Sequence, residues 1–128
     1  MSNTKVIIRS DKVTPPKAPL SPAVAANGFV FVSGQPAFYG DRQIEKDDFD
    51  AQMHQVMANI KALLEEAGSS LDKIVKANVI LKNSADFGRM NELYRTYFPD
   101  GDYPARTTIA CDMGNPDFLL EIECIALA

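Results

Sequence analysis

From Phe49 onward the apolar residues Phe49, Met53, Val56, Met57, Ile60, Leu63, Leu64 and Ala67 recur at spacings of three and four. That is the period of an α-helix, and it gathers them on one stripe. Asp47, Asp48 and Asp50 suit the positive N-terminus of such a helix, and Gly68 suits its end. A helix apolar on one side only must be laid against another layer. The remaining segments have to supply that layer.

Most of them read as strands. Lys5 to Ile8 is a short one. The proline-rich TPPKAPLSPA that follows predicts an extended, ordered connection. In VAANGFVFVSGQ, Asn27-Gly28 signals a two-residue hairpin turn between two strands, and GQPAFYGDRQIE then reads as a loop. Lys73 to Lys82 is the next strand. Ser84 is a good N-cap for a second helix running to Phe98, with Phe87, Met90, Tyr94, Tyr97 and Phe98 as its buried stripe. PDGDYP makes a turn, and strands follow at about Arg106 to Cys111 and Leu119 to Leu127. At 128 residues there is room for one core, so residues 1–128 are expected to form a single domain. The order β-β-β-α-β-α-β-β predicts an α+β fold, a mixed sheet with two helices packed on one face.

The last strand then poses a question. Leu120, Ile122, Cys124 and Ala126 alternate with Leu119, Glu121, Glu123 and Ile125. The first set suits packing under the helices, while the second mixes acids with apolar residues. Arg106, Thr108 and Ala110 form a similar mixed set on the preceding strand. A face part charged and part apolar is what a subunit interface carrying a polar site requires, so an oligomer is expected.

Several function classes are disfavoured. Charged residues make up 23% and hydrophobic residues 46%, as in an ordered globular chain, and the net charge of −4 argues against nucleic acid as the main partner. No apolar run approaches the roughly 20 residues that cross a bilayer, so no membrane association is expected. MSNTKVIIRSDK lacks the pattern of a secretion signal, and a cytoplasmic location is the simplest expectation. Cys111 and Cys124 are far from any CxxC pattern and are expected to be small core residues. With one histidine in the chain, no metal site is expected. That histidine, His54, falls beside the helical stripe and reads as a boundary residue. SGQPAFYG is not a phosphate loop, and EKDDFD is accounted for as a helix N-terminus.

Arg106 and the glutamates remain, with two readings. One is a buried or interfacial salt bridge from Arg106 to Glu121 or Glu123. The other is a substrate site, in which the guanidinium fork binds a carboxylate and a nearby acid holds a water.

SPAV, NG, FVFVSGQ, NIKALLEEAGSSLDKIVKANVILKN, DFGRMNELYRTYF, PAR and EIECIA, in that order from about Pro19 to Ala126, resemble the Rid (reactive intermediate deaminase) or YjgF family, also described as endoribonuclease L-PSP-like. The resemblance implies a chorismate-mutase-like α+β domain and a homotrimer with clefts between subunits. It implies hydrolysis of enamines or imines, such as 2-aminoacrylate, to 2-oxo acids and ammonia without cofactor or metal. By position it makes Arg106 the carboxylate-binding arginine and Glu121 the water-orienting glutamate. Gly34 would supply backbone contacts to the ligand, and Asn91 would line the cleft; Glu123 has no such counterpart and reads as structural or interfacial.

The chain departs from that pattern twice. Leu20 stands where the best-studied deaminases have a tyrosine, and Thr108 where they have a cysteine; both are expected to line the cleft. Leu20 removes a hydroxyl and makes its wall apolar, which suits a larger or more apolar imino acid. The alternatives are a specialised deaminase of the aminomuconate type and a trimeric metabolite-binding or regulatory protein without turnover. A ribonuclease is weighed down by the acidic charge and the lack of a histidine pair or a base-stacking platform.

Overall fold

The structure is a computed structural model and describes residues 4–128; residues 1–3 of the segment read above as free of a secretion signal lie outside it. Six strands form one sheet in the order β1-β2-β3-β6-β4-β5. They are β1 (Val6–Ile8), β2 (Ala23–Ala26), β3 (Phe29–Gln35), β4 (Ile74–Leu81), β5 (Ala105–Ala110) and β6 (Leu120–Leu127). Only β4 and β5 pair in parallel, so the sheet is mixed as expected. Two helices, α1 (Phe49–Glu66) and α2 (Phe87–Thr96), complete the α+β fold.

Local chemistry accounts for the ends of the first helix. Asp48 caps α1 by accepting from the Ala51 amide at 3.0 Å. At the other end, Gly68 takes φ +81°, the Gly68 amide donates to Glu65 and the Ser69 amide to Leu64. That is a Schellman closure, which needs a residue tolerant of positive φ. The stripe predicted for α1 is buried from Met53 to Leu64 and packs on the sheet. At the β2–β3 hairpin, Asn27 and Gly28 have φ of 52° and 86°, the geometry of a type I′ turn.

Among the side chains of α1, Gln52 and Asn59 are polar yet fully buried, and both act as struts. Gln52 donates to the Glu45 and Asp117 carbonyls and accepts from the Leu119 amide, each at 2.9 Å. Asn59 donates to the Pro36 and Phe38 carbonyls. Thus one helix holds both the loop after β3 and the entry to β6 in place.

Three expectations need correction. The second helix begins at Phe87 and ends at Thr96, because Ser84–Asp86 form a tighter 3-10 turn in which Ser84 makes no cap. Phe87 consequently stands at the helix entry, 46% exposed, and is not part of the buried stripe. Cys111 is exposed, since β5 is an edge strand and ends one residue before it, whereas Cys124 is buried in β6 as expected. His54 is exposed at the edge of α1, and its Nδ1 meets the Tyr97 hydroxyl at 2.5 Å, so it is indeed a boundary residue. Among the described residues no helix is long and apolar enough to cross a membrane.

Candidate active site

Strand register decides where the charges point. Cys124 lies opposite Ala77 on β4, and Ala77 lies opposite Arg106 on β5. Residues paired across a sheet share a face. Cys124 and Ala77 are buried beneath the helices, so Arg106 and, two residues on, Thr108 project on the helix side. Glu121 pairs with Ile80, which pairs with Ile109, and these belong to the opposite, open face. Arg106 and Glu121 were grouped above on one mixed second face; instead they are on opposite sides. Two strand spacings and three residues separate them, roughly 14 Å between Cα atoms.

The salt-bridge reading therefore does not hold within one chain. Among the described residues, Arg106 forms no ion pair with Glu121 or Glu123. Glu123 instead accepts from Asn78 Nδ2 at 2.8 Å on the open face, a structural role that agrees with the sequence reading.

Two separate recesses hold the candidate residues. The first, on the helix side, is an open cleft of about 390 Å³ where Asn91 and Tyr94 of α2 meet Arg106, Tyr103 and Pro104. Arg106 Nη2 donates to Asn91 Oδ1 at 2.7 Å. Its guanidinium stands 4.9 Å from the Tyr94 ring centre and 5.9 Å from that of Phe87. One neutral acceptor and two aromatic faces thus orient a cation whose charge is left available. Tyr94 itself is buried, and burial pushes its hydroxyl up to about 12 against the pull of the Arg106 charge. The Tyr94 and Thr108 hydroxyls are buried without a partner among the described residues.

The second recess, of about 230 Å³, brings together Leu20, Gly34 and Glu121. The β3–β6 register shifts between Val32 and Gln35, which places Gly34 in a bulge. The Glu121 carboxylate fills the space above it: a Cβ at position 34 would lie 2.9 Å from Oε2. Burial, and then the like charge of Glu123, raises the Glu121 pKa above the usual carboxylate value. A carboxyl so placed can take up and release a proton nearer neutrality than a solvated one.

Of the residues singled out in the sequence, then, Arg106 and Asn91 meet in one place, and Leu20, Gly34 and Glu121 in another. Thr108 lies on the Arg106 side of β5. Residues not foreseen include Tyr94 beneath the guanidinium, assigned to the core on its period alone, and Phe38, Arg42 and Phe118 around the Glu121 recess. Arg42 follows Gly40-Asp41 in a tight turn closed by reciprocal Tyr39–Gln43 backbone bonds, but that turn carries no mark of which cavity it overlooks. Among the described residues no group of three or more His, Cys, Asp or Glu could hold a metal ion.

Comparison with known proteins agrees with this architecture along nearly the whole chain. The family model described as Endoribonuclease L-PSP matches residues 11–128. A RutC family protein of Pyrococcus abyssi is 42% identical over 123 residues, covering 95% of this chain and 96% of its own. The crystal structure of the Rid family protein YyfA from Yersinia pestis superposes with a TM-score of 0.92 at 32% identity, covering 98% of this chain and all of that one. TdcF of E. coli, crystallised with bound serine, gives a TM-score of 0.88 at 29% identity, covering 96% and 98% of the two chains. The chain belongs to the Rid/YjgF, or endoribonuclease L-PSP, family.

Proposed function

We propose that this protein hydrolyses reactive 2-imino acids, including those formed from 2-aminoacrylate-type enamines, to 2-oxo acids and ammonia. The observation that carries the reading is the state of Arg106, which is half-buried, oriented by Asn91 and Tyr94, and without an acidic partner among the described residues. A planar fork held ready in this way matches a substrate carboxylate. Serine bound to TdcF is a ligand of the same class, a small carboxylate bearing nitrogen on the α-carbon.

Glu121 supplies the second half from the other recess. For both to reach one substrate, the Arg106 cleft of one protomer must adjoin the Glu121 recess of another. An assembly, in this reading a homotrimer, is favoured by the open sheet face, where Phe29, Phe31 and Leu127 are exposed side by side on the paired strands β3 and β6, and Ile109 is exposed further along the same face on β5. Uncovered apolar area of that kind marks an interface.

The chemistry asks little of the protein. An enamine gains a proton on carbon and becomes the imine. Water then adds to the C=N carbon while Glu121 takes one of its protons and passes it to the nitrogen, giving the carbinolamine. The carbinolamine collapses: its hydroxyl proton moves by the same carboxylate to the nitrogen, the C–N bond breaks, ammonia leaves, and the C=O bond forms. One imine and one water give one 2-oxo acid and one ammonia, with no other reactant. Imines are intrinsically electrophilic, so positioning and a modest proton relay suffice.

The test couples a serine or threonine dehydratase to the protein and follows imine decay. Accelerated decay that Arg106→Ala abolishes, with the assembly intact by light scattering, is the expected result. Dissociation or unfolding of the variant would assign Arg106 a structural role instead, and ligand binding without acceleration would favour a metabolite-binding protein.

A further inference from the structure

The Glu121 recess contains more than a water-holding carboxylate requires. Arg42 also lines it, half-buried, with its guanidinium 4.4 Å from the centre of the Phe38 ring. Its one hydrogen bond among the described residues runs from Nη1 to the Pro15 carbonyl at 3.2 Å. A guanidinium carries five N–H donors, so most of this fork is uncommitted. No carboxylate pairs with it among the described residues.

Leu20, Phe38 and Phe118 give the recess that holds Arg42 and Glu121 an apolar part of its wall. Phe38 and Phe118 meet edge to face at 5.3 Å, and the Asn59 strut fixes the Phe38 carbonyl at 2.9 Å. Arg42 is thus held at a fixed site by a stacked ring and a backbone bond. Lys17, on the proline-rich segment, adds a second positive charge to the same lining. One recess thus combines a carboxylate, a hydrocarbon wall and a largely uncommitted fork of donors, the elements a receptor for a ligand with an acidic tail needs.

We infer that the recess selects 2-imino acids whose side chain ends in a second carboxylate, Arg42 being the anchor for that distal group. This rests on the deaminase reading above: Arg106 of a neighbouring protomer takes the α-carboxylate, Glu121 serves the reacting carbon, and the side chain runs along Leu20 and Phe38 to Arg42. An aliphatic imino acid would fit the wall but leave the fork unmatched. Losing a charge-assisted hydrogen bond at such a site weakens binding by about tenfold or more.

The experiment generates imines in situ from glutamate and from leucine with amino-acid oxidases. It compares the ratio of kcat/KM for the two in wild type, Arg42→Gln and Arg42→Lys. The expected result is a wild-type preference for the glutamate-derived imine that falls about tenfold in Arg42→Gln and is partly kept in Arg42→Lys. Equal losses on both imines, or a wild-type preference for the leucine-derived one, would overturn the inference. If wild type hydrolyses neither imine, the dehydratase-coupled assay above decides the deaminase reading by itself. Titration calorimetry with glutarate then decides the anchor. Binding weakened about tenfold by Arg42→Gln sustains it, and no binding, or binding indifferent to the substitution, removes it. Should Arg42→Gln fail to fold, Arg42→Lys and the wild-type glutarate titration still return one of these outcomes.

Discussion

Replacing Gly34 by alanine is the smallest change that tests whether Glu121 works from its present position. The new Cβ would lie 2.9 Å from Oε2 and 3.8 Å from Cδ of Glu121. Ordinary contact begins near 3.4 Å, so the carboxylate oxygen must retreat by about 0.5 Å, the difference between the two distances. Gly34 is not among the residues with positive φ, so an alanine suits its backbone. The moving atom is the end of a flexible side chain, and the displacement falls on Glu121 with little effect on the fold. Catalytic groups tolerate misplacement of about 0.5 Å at most, and about 1 Å can lose 100-fold. The variant should therefore lose between about 10- and 100-fold in kcat for imine hydrolysis, with Tm within a few degrees of wild type. The assay pairs stopped-flow decay of a dehydratase-generated imine with a thermal melt. Undiminished kcat would refute the reasoning, because the carboxylate would then be free to work from a shifted position. A collapsed Tm would show that the glycine serves packing instead.

Other expectations follow from single features. Since burial and Glu123 raise the Glu121 pKa, the native protein holds that proton to higher pH than the unfolded chain does. The stability due to this group is present at acid pH and lost as pH rises from the ordinary carboxylate value to the raised one. Glu121→Gln should then melt higher than wild type at pH 7, the gap closing below about pH 4, while kcat falls; a gap that reverses at pH 7 would mean that the charged form is the stabilised one. Gln52→Leu leaves the Glu45 and Asp117 carbonyls and the Leu119 amide without this partner, each bond being part-buried, and should lower unfolding free energy by roughly 2–5 kcal/mol in urea titration, with a loss under 1 kcal/mol counting against the strut role. Leu20, 48% exposed at the recess, should on Leu20→Tyr shift kcat/KM toward the smallest imines, read in the same coupled assay with threonine- and leucine-derived substrates. Phe31→Glu on the open face should release protomers in light scattering if the proposed assembly covers this side chain, which is 44% exposed in the single chain.

Local rules made much of this molecule legible. The α1 stripe, its Asp48 cap and Gly68 stop, the Asn27-Gly28 turn and the alternation of β6 all depend on residues within a few positions of one another. Motif order along the chain was likewise enough to indicate the family. The misreadings have a common cause. Whether Arg106 shares a face with Glu121 depends on which residue of β4 lies opposite each, and a slip of one residue inverts the answer. Phe87 and Cys111 escaped burial because a 3-10 turn and a strand end shifted them by a few residues, a scale at which periodicity has no resolution.

The amino-acid sequence by itself determined the layers, the elements and the residue types able to handle a small carboxylate. Only the tertiary structure decided their grouping. It separated Arg106 from Glu121 across the sheet and closed Leu20, Gly34, Arg42 and Glu121 around one recess. These residues come from a proline-rich connection, a bulge, a tight turn and the last strand. No period or motif links such distant segments; their meeting is set by sheet register and by the Gln52 and Asn59 struts that hold the loops against α1.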